Sequence, residues 1–533
     1  MTLKVSTKGA SSVAVATVIQ ELVRDKVASR IFAKDHTLWG LDAQAEASIR
    51  LGWVDAAAES LELFPEVSEL RKALIGSGLT RIVLCGMGGS SLAPEVIAAS
   101  AGVELVVLDS THPSQVRSAV SKDIVKTVVV VSSKSGSTVE TDSQKRIFEQ
   151  AFEQAGIDKT SRIIVVTDPN SPMHKQAVLD GYRVFLANPN VGGRFSALTA
   201  FGVVPSILAG VDMLPILQDA ILAADVLSSD EANNPALVLG AAMATTSSSQ
   251  GFRDKLGIVS TSDEVSGFGN WMEQLIAEST GKHGRGVLPI VLEANSPELL
   301  RPSKDLVTIG LLADASSGGY DINVSGGLGS LFLLWEVATA VASRLLGVNP
   351  FDQPDVESAK IASREFLDSK GPKQEPLFTD GTIAVSIKNI ALSKDPTLNE
   401  AIEALVRSAG PDSYFAIHAY LDRNRAGLFQ TLRDQISKSS GRPTTFGWGP
   451  RFLHSTGQYH KGGPAQGVFL QLISEDGEEL MIPGRDFGFQ ELMNAQAAGD
   501  ANVLSQNGRP VLTLRFQDQD RALSLVSEVL EGI

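Results

Sequence analysis

The stretch from Lys126 to Thr141, KTVVVVSSKSGSTVET, limits the possible folds more than any other part of the chain. Val128 to Val131 form an unbroken run of β-branched residues, too apolar to leave one face of a strand in water. Such a run is typical of a central strand in a parallel sheet, buried on both faces. The residues from Glu140 to about Gln154 then follow a helical pattern. The sequence therefore predicts a strand, a short loop and a helix within an α/β domain.

The loop between that strand and helix, Ser132 to Thr138, contains five Ser or Thr residues, one glycine and one lysine. The first N–H groups of a helix lack partners and its dipole is positive there, so a loop of this kind can bind phosphate. An ordinary capping cluster is the alternative, because Ser and Thr often begin helices. A single side-chain oxygen is enough to cap a helix, so five hydroxyl residues together with a lysine favour phosphate binding. The candidate ligands are Ser133, Lys134, Ser135 and Thr138.

From Thr80 onward, strand and helix patterns alternate. This alternation predicts parallel sheets with helices on both faces, whose ligands lie beyond the carboxyl ends of the strands. Residues up to about 75 have helical spacing, a second α/β unit begins near Asn234, and Lys370–Gln374 is a plausible linker to a third module. We therefore predict four parts: a helical segment over 1–75, doubly wound parallel-sheet domains over 76–230 and 231–370, and an α+β module over 371–533.

The first strand of this alternation, Arg81–Cys85, is followed by Gly86–Ser91, GMGGSS. Three glycines let a backbone approach an anion closely, and two serines add hydroxyl donors. The loop does not match the dinucleotide fingerprint, because Ser91 stands where the third glycine belongs, and it is not a P-loop. Two such loops at strand ends of one sheet strengthen the case for phosphate. The candidate residues here are Gly89, Ser90 and Ser91.

Two further charged residues have both a functional and an ordinary interpretation. Arg194 follows two glycines in the turn Gly192–Ser196, which can present a guanidinium inward, although a solvent-exposed arginine accounts equally well for the pattern. Glu278 lies in the last turn of a helix, where the dipole disfavours a carboxylate, and shares a face with Gln274. An acid placed against its electrostatic preference is a candidate for function. A surface pair with Lys282 is the ordinary alternative.

Two later stretches carry the remaining candidates. Pro354 begins a new helix, with Gln353 near its N-cap and Lys360 about two turns inside. A solvated helix-face lysine is the ordinary interpretation of Lys360. In the third module, Phe452–Gly463 combines two His, one Tyr and one Lys with glycines, and a polar surface loop is its alternative. The spacing fits no metal site, so we predict none.

Length and composition limit the class of protein. A chain of 533 residues is too long for one core. The net charge of −15 argues against nucleic acid and anionic membranes as partners, and it requires a phosphate site to build its own positive field. No apolar run approaches the roughly 20 residues of a membrane helix, and the N-terminus lacks a clear signal peptide. The single cysteine, Cys85, rules out an intrachain disulfide framework and favours a reducing, cytoplasmic location.

Five of these motifs together resemble the phosphoglucose isomerase family, which is built from two flavodoxin-like sugar-isomerase (SIS) domains. They occur in the family's order between residues 80 and 370, and the chain is most similar to the isomerase part of transaldolase/isomerase fusions, although no transaldolase barrel is present. The matching segments are Gly86–Pro94, Ser133–Thr138, Gly192–Ser196, Gln274–Lys282 (Q-x-x-x-E-S-x-G-K) and Asn349–Lys360 (NPFDQ-x-x-V-E-x-x-K).

The resemblance implies roles for individual residues. Glu278 corresponds to the base of isomerisation, Arg194 to the arginine that stabilises the enediolate, and Lys360 to the lysine that assists ring opening. The family's histidine normally lies between the glutamate and that lysine, where this chain has none between His283 and His418. The segment Thr456–His460, TGQYH, is similar to the family's TNGQH but lies later and has an inserted tyrosine. We therefore predict His460, with His283 and His454 as alternatives.

The resemblance also implies an activity: interconversion of glucose 6-phosphate and fructose 6-phosphate through a cis-enediol, in glycolysis and gluconeogenesis. No metal or organic cofactor is implied, and a homodimer is expected because subunits of this family often share a site. A dual phosphoglucose/phosphomannose isomerase remains an alternative, as does a non-catalytic SIS-type sugar-phosphate-binding protein. Such a sensor needs only the phosphate loops, so the presence of Glu278, Arg194 and Lys360 argues against it.

Overall fold

The valine run forms the central strand of an all-parallel, five-stranded sheet. The computed structural model describes residues 2–248, 251–356, 361, 367, 375–425, 427 and 429–533. Within them, Thr127–Ser132 pairs with Arg81–Gly86 on one side and Ile163–Thr167 on the other, and all six of its residues are buried. Val106–Leu108 and Arg183–Leu186 complete the sheet. Numbered along the chain, the strands lie in the order 2-1-3-4-5, which confirms the flavodoxin-like prediction.

Both faces of this sheet are covered, which explains why the central strand is apolar throughout. Successive side chains of a strand point to opposite faces. Val128 and Val130 accordingly belong to one buried cluster, and Val129 and Val131 to another. Cys85 is fully buried in the second cluster, and burial raises the pKa of its thiol. The covering helices are Leu92–Ser100, Pro113–Ser121, Val139–Gln154, Pro172–Leu179 and Ala200–Ala209.

The second sheet contains four parallel strands in the order 2-1-3-4 and one antiparallel edge strand. The three predicted strands appear as Lys255–Ser260, Leu288–Leu292 and Leu306–Leu311. Ile322–Ser325 is a fourth, and Lys4–Thr7 pairs with it antiparallel at the edge. The prediction that residues 1–75 are helical is therefore wrong at 4–7. Four residues are too few to show a strand period, and only the distant pairing reveals them.

The rest of the N-terminal segment is helical, with short 3-10 turns between the helices. Its α-helices are Gly9–Arg24, Val27–Phe32, Gln44–Ala47, Ala56–Ser60 and Leu63–Gly76. The described helices that accompany the second sheet include Met213–Leu227, Pro235–Thr245, Phe268–Thr280, Pro297–Leu300 and Leu328–Leu346. Of the helices that the structure describes, Leu328–Leu346 alone is long and apolar enough to cross a membrane, and its most apolar window is 83% buried within the protein. Packing in the core accounts for that composition.

The C-terminal module contains a six-stranded mixed sheet with its own core. Four strands are parallel and again follow the order 2-1-3-4, while two N-terminal strands are antiparallel. In spatial order the strands are Phe378–Asp380, Ile383–Lys388, Val511–Phe516, Gly467–Ser474, Tyr414–Tyr420 and Thr444–Trp448. Its helices include Leu398–Arg407, Phe429–Ser440, Phe489–Gln506 and Gln519–Glu531. In place of the predicted α+β arrangement, the module combines a parallel α/β sheet with an antiparallel pair. The predicted linker Lys370–Gln374 lies outside the described residues, so the domain boundaries stay predictions.

Buried charges join this module to the second sheet. Lys255 is fully buried, and its Nζ donates to Gln466 Oε1 (2.8 Å) and to the carbonyl oxygen of Asp412 (2.9 Å), both in the C-terminal module. Asp254 and Asp305 lie 2.7 and 2.9 Å from the same Nζ. A buried cation without such partners costs several kcal/mol. Because two of the partners of Lys255 belong to the C-terminal module, moving the module away would expose or strand this charge, so the contacts hold it against the second sheet.

Candidate active site

The two loops predicted to bind phosphate lie at the point where the strand order of the first sheet reverses. Gly86–Ser91 follows strand 1 of the order 2-1-3-4-5, and Ser133–Thr138 follows strand 3 beside it. In open α/β sheets the ligand crevice forms outside the carboxyl ends of the strands at this point. The fold therefore brings these two predicted loops to one edge.

The first loop packs closely against the Gly-Gly-Arg turn. A Cβ atom on Gly89 would lie 1.9 Å from the carbonyl oxygen of Gly193, so only glycine fits there. Ser91 is fully buried and donates to the carbonyl oxygen of Gly88 (3.2 Å), which makes it part of the loop's own structure. The hydroxyl of Ser90 makes no hydrogen bond to any residue that the structure describes. Of the two serines, Ser90 is the one free to bind a ligand.

The second loop presents hydroxyl groups and helix amides together. Ser133 Oγ lies 3.1 Å from Thr138 Oγ1 and accepts a hydrogen bond from the Gly136 N–H (3.2 Å). Thr138 is the N-cap of Val139–Gln154, and its side chain caps none of the helix amides. Ser135 lies on the exposed side of the loop. Unpaired first-turn amides beside hydroxyl groups form an anion-binding arrangement.

Lys134 does not supply a free positive charge to this loop. Its Nζ forms an ion pair with Asp168 and donates to the carbonyl oxygen of Pro189 (3.3 Å). Burial lowers the pKa of Lys134, and the Asp168 carboxylate opposes that change. Asp168 follows the neighbouring strand Ile163–Thr167, so the pairing depends on sheet order and is not visible from the local sequence. The helix amides therefore carry the larger part of the positive field.

Arg194 is buried at the centre of the site rather than exposed in a turn. Its side chain is 3% exposed, and its Nη1 lies 3.5 Å from Glu278 Oε1. Burial lowers the pKa of the guanidinium, and the carboxylate of Glu278 acts in the opposite direction. The guanidinium donates to Ser279 Oγ (2.9 Å), Gln353 Oε1 (2.7 Å), the carbonyl oxygen of Asp352 (2.9 Å) and that of Pro350. Arg194 thus ties the turn before the Gln353 helix to the helix that carries Glu278.

Glu278 and Gln274 lie on one buried face of the helix Phe268–Thr280, as their spacing predicts. Gln274 Nε2 donates to Glu278 Oε2 (3.2 Å) and to the carbonyl oxygen of His454 (2.8 Å). Gln274 Oε1 is buried and has no hydrogen-bond partner among the described residues. A carboxylate held by Arg194 and Gln274 has a fixed position, and the unpaired amide oxygen can accept a substrate hydroxyl.

The alternative surface pair between Glu278 and Lys282 does not form. Lys282 is fully buried, and its Nζ lies 2.7 Å from Asp352 Oδ1 and donates to the carbonyl oxygen of Asn349. Burial, with Arg194 nearby, lowers the pKa of Lys282 to about 7. The helix ends at Thr280, so the two side chains are no longer one helical turn apart. Lys360, the predicted catalytic lysine, lies outside the described residues.

His460, the favoured histidine, forms its hydrogen bond and ring contacts with residues of the C-terminal module. It is buried, its Nδ1 lies 2.9 Å from Tyr414 Oη, and its ring packs with Tyr414, His418 and Phe469. His283 is exposed in a turn with a φ of +54°. Among the described residues, neither ring forms a hydrogen bond or ion pair with Glu278, Arg194 or Gln274.

His454 is the histidine that the fold brings to the site. Its carbonyl oxygen binds Gln274, and its ring Nε2 lies 2.9 Å from Glu140 Oε1. Gln496 Nε2 donates to the same carboxylate oxygen (2.7 Å). The segment that contains His454 is not a polar surface loop, because Arg451–His454 and Gly457–Gly462 are short helical turns buried between the three parts of the chain.

Sequence reasoning did not identify Glu140, Gln496 or Gln458. Glu140 lies in the first turn of the helix after the phosphate loop, where an acid is ordinary, and its partner His454 is 314 positions away. Gln458 Nε2 donates to the Gly281 carbonyl (2.9 Å) and to Asp355 Oδ2 (2.6 Å). In the sequence, Glu140 is notable only because it follows the Ser133–Thr138 loop, and Gln458 only because it lies within Thr456–His460. Their long-range hydrogen bonds in the fold show what they contact.

The two loops predicted to bind phosphate, a buried carboxylate beside a guanidinium and a histidine–carboxylate pair thus come from three parts of one chain. Within the described residues, no group of three or more His, Cys, Asp or Glu side chains is arranged to hold a metal ion. The arrangement suits proton transfer on an anionic substrate.

A protein-family model and several curated proteins match parts of this chain. The model of the phosphoglucose isomerase family matches residues 63–287. A glucose-6-phosphate isomerase from Rubrobacter xylanophilus is 29% identical over 373 residues, covering 57% of this chain and 85% of the relative. A probable glucose-6-phosphate isomerase from Haloarcula marismortui is 28% identical over 340 residues, covering 54% and 78%.

Two solved structures share the fold. A hypothetical protein from Thermus thermophilus has a TM-score of 0.57 and 24% identity, covering 69% of this chain and all of the other. A glucose-6-phosphate isomerase from Chlamydia trachomatis has a TM-score of 0.51 and 18% identity, covering 65% and 79%.

Proposed function

This chain belongs to the phosphoglucose isomerase family, and from that premise we propose that it interconverts glucose 6-phosphate and fructose 6-phosphate through a cis-enediol intermediate. The observation that carries the proposal is the buried carboxylate of Glu278, held between Arg194 and Gln274 and next to the two anion-binding loops. One carboxylate in a fixed position can remove a proton from C2 and return it to C1 on the same face of the sugar.

Arg194 stabilises the negative charge that develops on the substrate oxygens in this step. A guanidinium fixed in a water-excluded site needs no reorganisation when the charge appears, and such preorganised groups contribute strongly to catalysis. Its hydrogen bonds to two carbonyl oxygens and to Gln353 hold it in place. The unpaired Oε1 of Gln274 accepts a hydroxyl of the substrate.

The phosphate binds at Ser133–Thr138, with the first amides of Val139–Gln154 and the hydroxyl of Ser90 as donors. This binding fixes orientation and contributes no chemistry of its own. Ser133 and Thr138 contribute hydroxyls. The ammonium of Lys134 contributes less, because Asp168 competes with the phosphate for it.

His454, rather than His460, acts in ring opening. Its contact with Glu140 fixes the orientation of the imidazole, and its carbonyl is bonded to the amide beside Glu278. A histidine held in this way can transfer a proton to the ring oxygen of a cyclic sugar. We assign Lys360 to the same step because the segment Asn349–Lys360 resembles the family motif that contains the ring-opening lysine.

We further propose that a single chain supplies all of these groups, because Glu140, Glu278 and His454 come from its three sheet-containing parts. A homodimer is then not needed to supply the histidine, and it stays a prediction about assembly. The expected cytoplasmic location is likewise a prediction, based on cysteine usage.

Replacing Glu278 by Gln tests the proposal. Conversion of fructose 6-phosphate to glucose 6-phosphate should fall by at least a hundredfold, while binding of glucose 6-phosphate, measured by calorimetry, should stay within a few-fold of the original. Glu293→Gln, at an exposed glutamate elsewhere, is the matched control. Retained turnover in the Glu278 variant would refute the assignment. The same assay with mannose 6-phosphate tests the dual-specificity alternative.

A further inference from the structure

A cavity lies at the carboxyl edge of the third sheet, lined by none of the residues predicted to bind the sugar phosphate. It has a volume of about 380 Å³, within the range of small-molecule sites. Arg423 and Asn424 follow the strand Tyr414–Tyr420, and Trp448 ends the neighbouring strand Thr444–Trp448. The three sheets share one parallel strand order, and ligands of such sheets bind outside the carboxyl ends of the strands. The cavity lies at the carboxyl ends of strands 1 and 2 of the third sheet, beside the point between strands 1 and 3 where the strand order reverses.

The charges around this cavity are already balanced. Arg451 pairs with Asp109 and lies 2.6 Å from Glu95, and Arg423 lies 3.3 Å from Asp109 and 3.5 Å from Glu95. Two guanidinium groups thus face two carboxylates, which leaves no excess positive charge for a phosphate. Glu273, the remaining acid, has its pKa raised to about 8 by burial, so it does not require a cation at neutral pH. The balance favours an uncharged ligand.

Polar groups that can bind such a ligand are free in the walls. The side-chain amides of Asn270 and Asn424 and the indole N–H of Trp448 make no hydrogen bond to any residue in the described part of the chain. Amides and a protonated carboxyl both donate and accept, as hydroxyl groups do. Trp448 also adds apolar ring surface. We propose that this cavity binds an uncharged, hydroxyl-rich ring, that is, an unphosphorylated sugar.

Two walls of the cavity belong to elements of the active site. Asn270 and Glu273 lie on the helix that carries Gln274 and Glu278, and Ser455 and Thr456 follow His454 directly. None of the residues predicted to bind the sugar phosphate lines the cavity. The two sites are therefore distinct, but both are built from the helix Phe268–Thr280 and the segment around His454. A ligand in the cavity would contact the same elements that position Glu278 and His454.

Tryptophan fluorescence provides a direct test, because Trp448 is the only one of the five tryptophans that is not buried. Titration of the full chain with methyl α-D-glucopyranoside, which has no phosphate and cannot open its ring, should give a saturable change in emission with a stoichiometry of one. The change should disappear in Trp448→Phe. By calorimetry, Asn424→Ala and Asn270→Ala should each weaken binding at least tenfold, whereas Asn233→Ala, at an exposed asparagine outside the cavity, should bind unchanged.

Three results would overturn the proposal. They are the absence of saturable binding up to 50 mM glucoside, equal binding in the Asn424 and Asn270 variants, and preferential binding of inorganic phosphate or adenosine in the same titration. Thermal unfolding of each variant separates lost binding from lost structure. Because the readout is binding, its failure would leave the isomerase assignment untouched.

Discussion

His454 Nε2 lies 2.9 Å from Glu140 Oε1, a contact between the C-terminal module and the helix that begins at the phosphate loop. The pair joins the helix after the predicted phosphate loop to the segment whose backbone binds Gln274. Gln496, from a third position in the chain, donates to the same carboxylate oxygen. Removal of the Glu140 carboxylate takes away the acceptor that both His454 and Gln496 contact, so the orientation of the imidazole depends on it.

This pair predicts a separation between ring opening and isomerisation. Glu140→Gln should slow the exchange between the α and β anomers of glucose 6-phosphate at least tenfold, because His454 loses the carboxylate that orients it. Glu278→Gln should abolish isomerisation and leave anomer exchange within a few-fold of the original. NMR exchange spectroscopy measures the anomers, and a coupled assay measures the isomerase. Loss of both activities in the Glu278 variant, with the fold intact, would contradict separate roles.

His460→Asn is the companion experiment for the histidine assignment. His460 contacts Tyr414, His418 and Phe469, so its loss should lower stability and leave anomer exchange per folded molecule within a few-fold of the original. His454→Asn should lower anomer exchange at least tenfold. The opposite pattern would restore His460 as the histidine of ring opening.

The ion pair between Lys134 and Asp168 predicts an unusual response to mutation. Asp168→Asn removes the carboxylate that compensates Lys134, so the ammonium becomes available to the phosphate and KM should fall roughly two- to tenfold, most strongly at low salt. Lys134→Ala should raise KM. Steady-state kinetics at two ionic strengths measures both, and Asp158→Asn, at an exposed aspartate, is the control. A higher KM in Asp168→Asn would show that Asp168 positions the loop instead.

Buried histidines in the C-terminal module predict acid sensitivity. Burial lowers the pKa of His418 and of His460, with Lys461 adding to the effect. The unfolded chain binds these protons near pH 6.5 and the folded chain only at lower pH, so the contribution of the two histidines to stability should fall as pH drops below about 6.5. Burial raises the pKa of Glu273 and of Glu336, so these carboxyls contribute with the opposite sign, and the histidine contribution is measured as the difference between variants. The slope should reach about 1.4 kcal/mol per pH unit for each histidine. Asp500, whose pKa is lowered mainly by Lys461 against the effect of burial, is ionised in both states at that pH and leaves the slope unchanged.

Urea unfolding at pH 7.5, 6.0 and 5.0 measures this dependence. His460→Asn should lose part of the slope, whereas His283→Asn, at an exposed turn residue, should retain it. Equal slopes in the two variants would contradict the assignment.

The parts of the fold that the sequence predicted are those determined by local patterns. The valine run, the glycine loops and the apolar helix 328–346 each carry enough consecutive information to identify an element. Lys4–Thr7 and the pairs Lys134–Asp168 and Glu140–His454 depend on which strands and modules become neighbours. The resemblance of TGQYH to a family motif predicts His460, and no pattern in one sequence tells which of two nearby histidines contacts Glu140, 314 positions away from His454.

Gly89 provides the sharpest test of how the loops are assembled. A Cβ atom there would lie 1.9 Å from the carbonyl oxygen of Gly193, a backbone atom that cannot move without shifting Arg194 next to it. Gly89→Ala should therefore lower the free energy of unfolding by about 1–3 kcal/mol and reduce kcat more than the loss of stability explains. Gly192→Ala is the matched control, because a Cβ atom on Gly192 would have no neighbour within 4 Å. Thermal unfolding and steady-state kinetics on both variants decide the matter. Full activity in Gly89→Ala would mean that the two loops need not touch for Arg194 to reach the substrate.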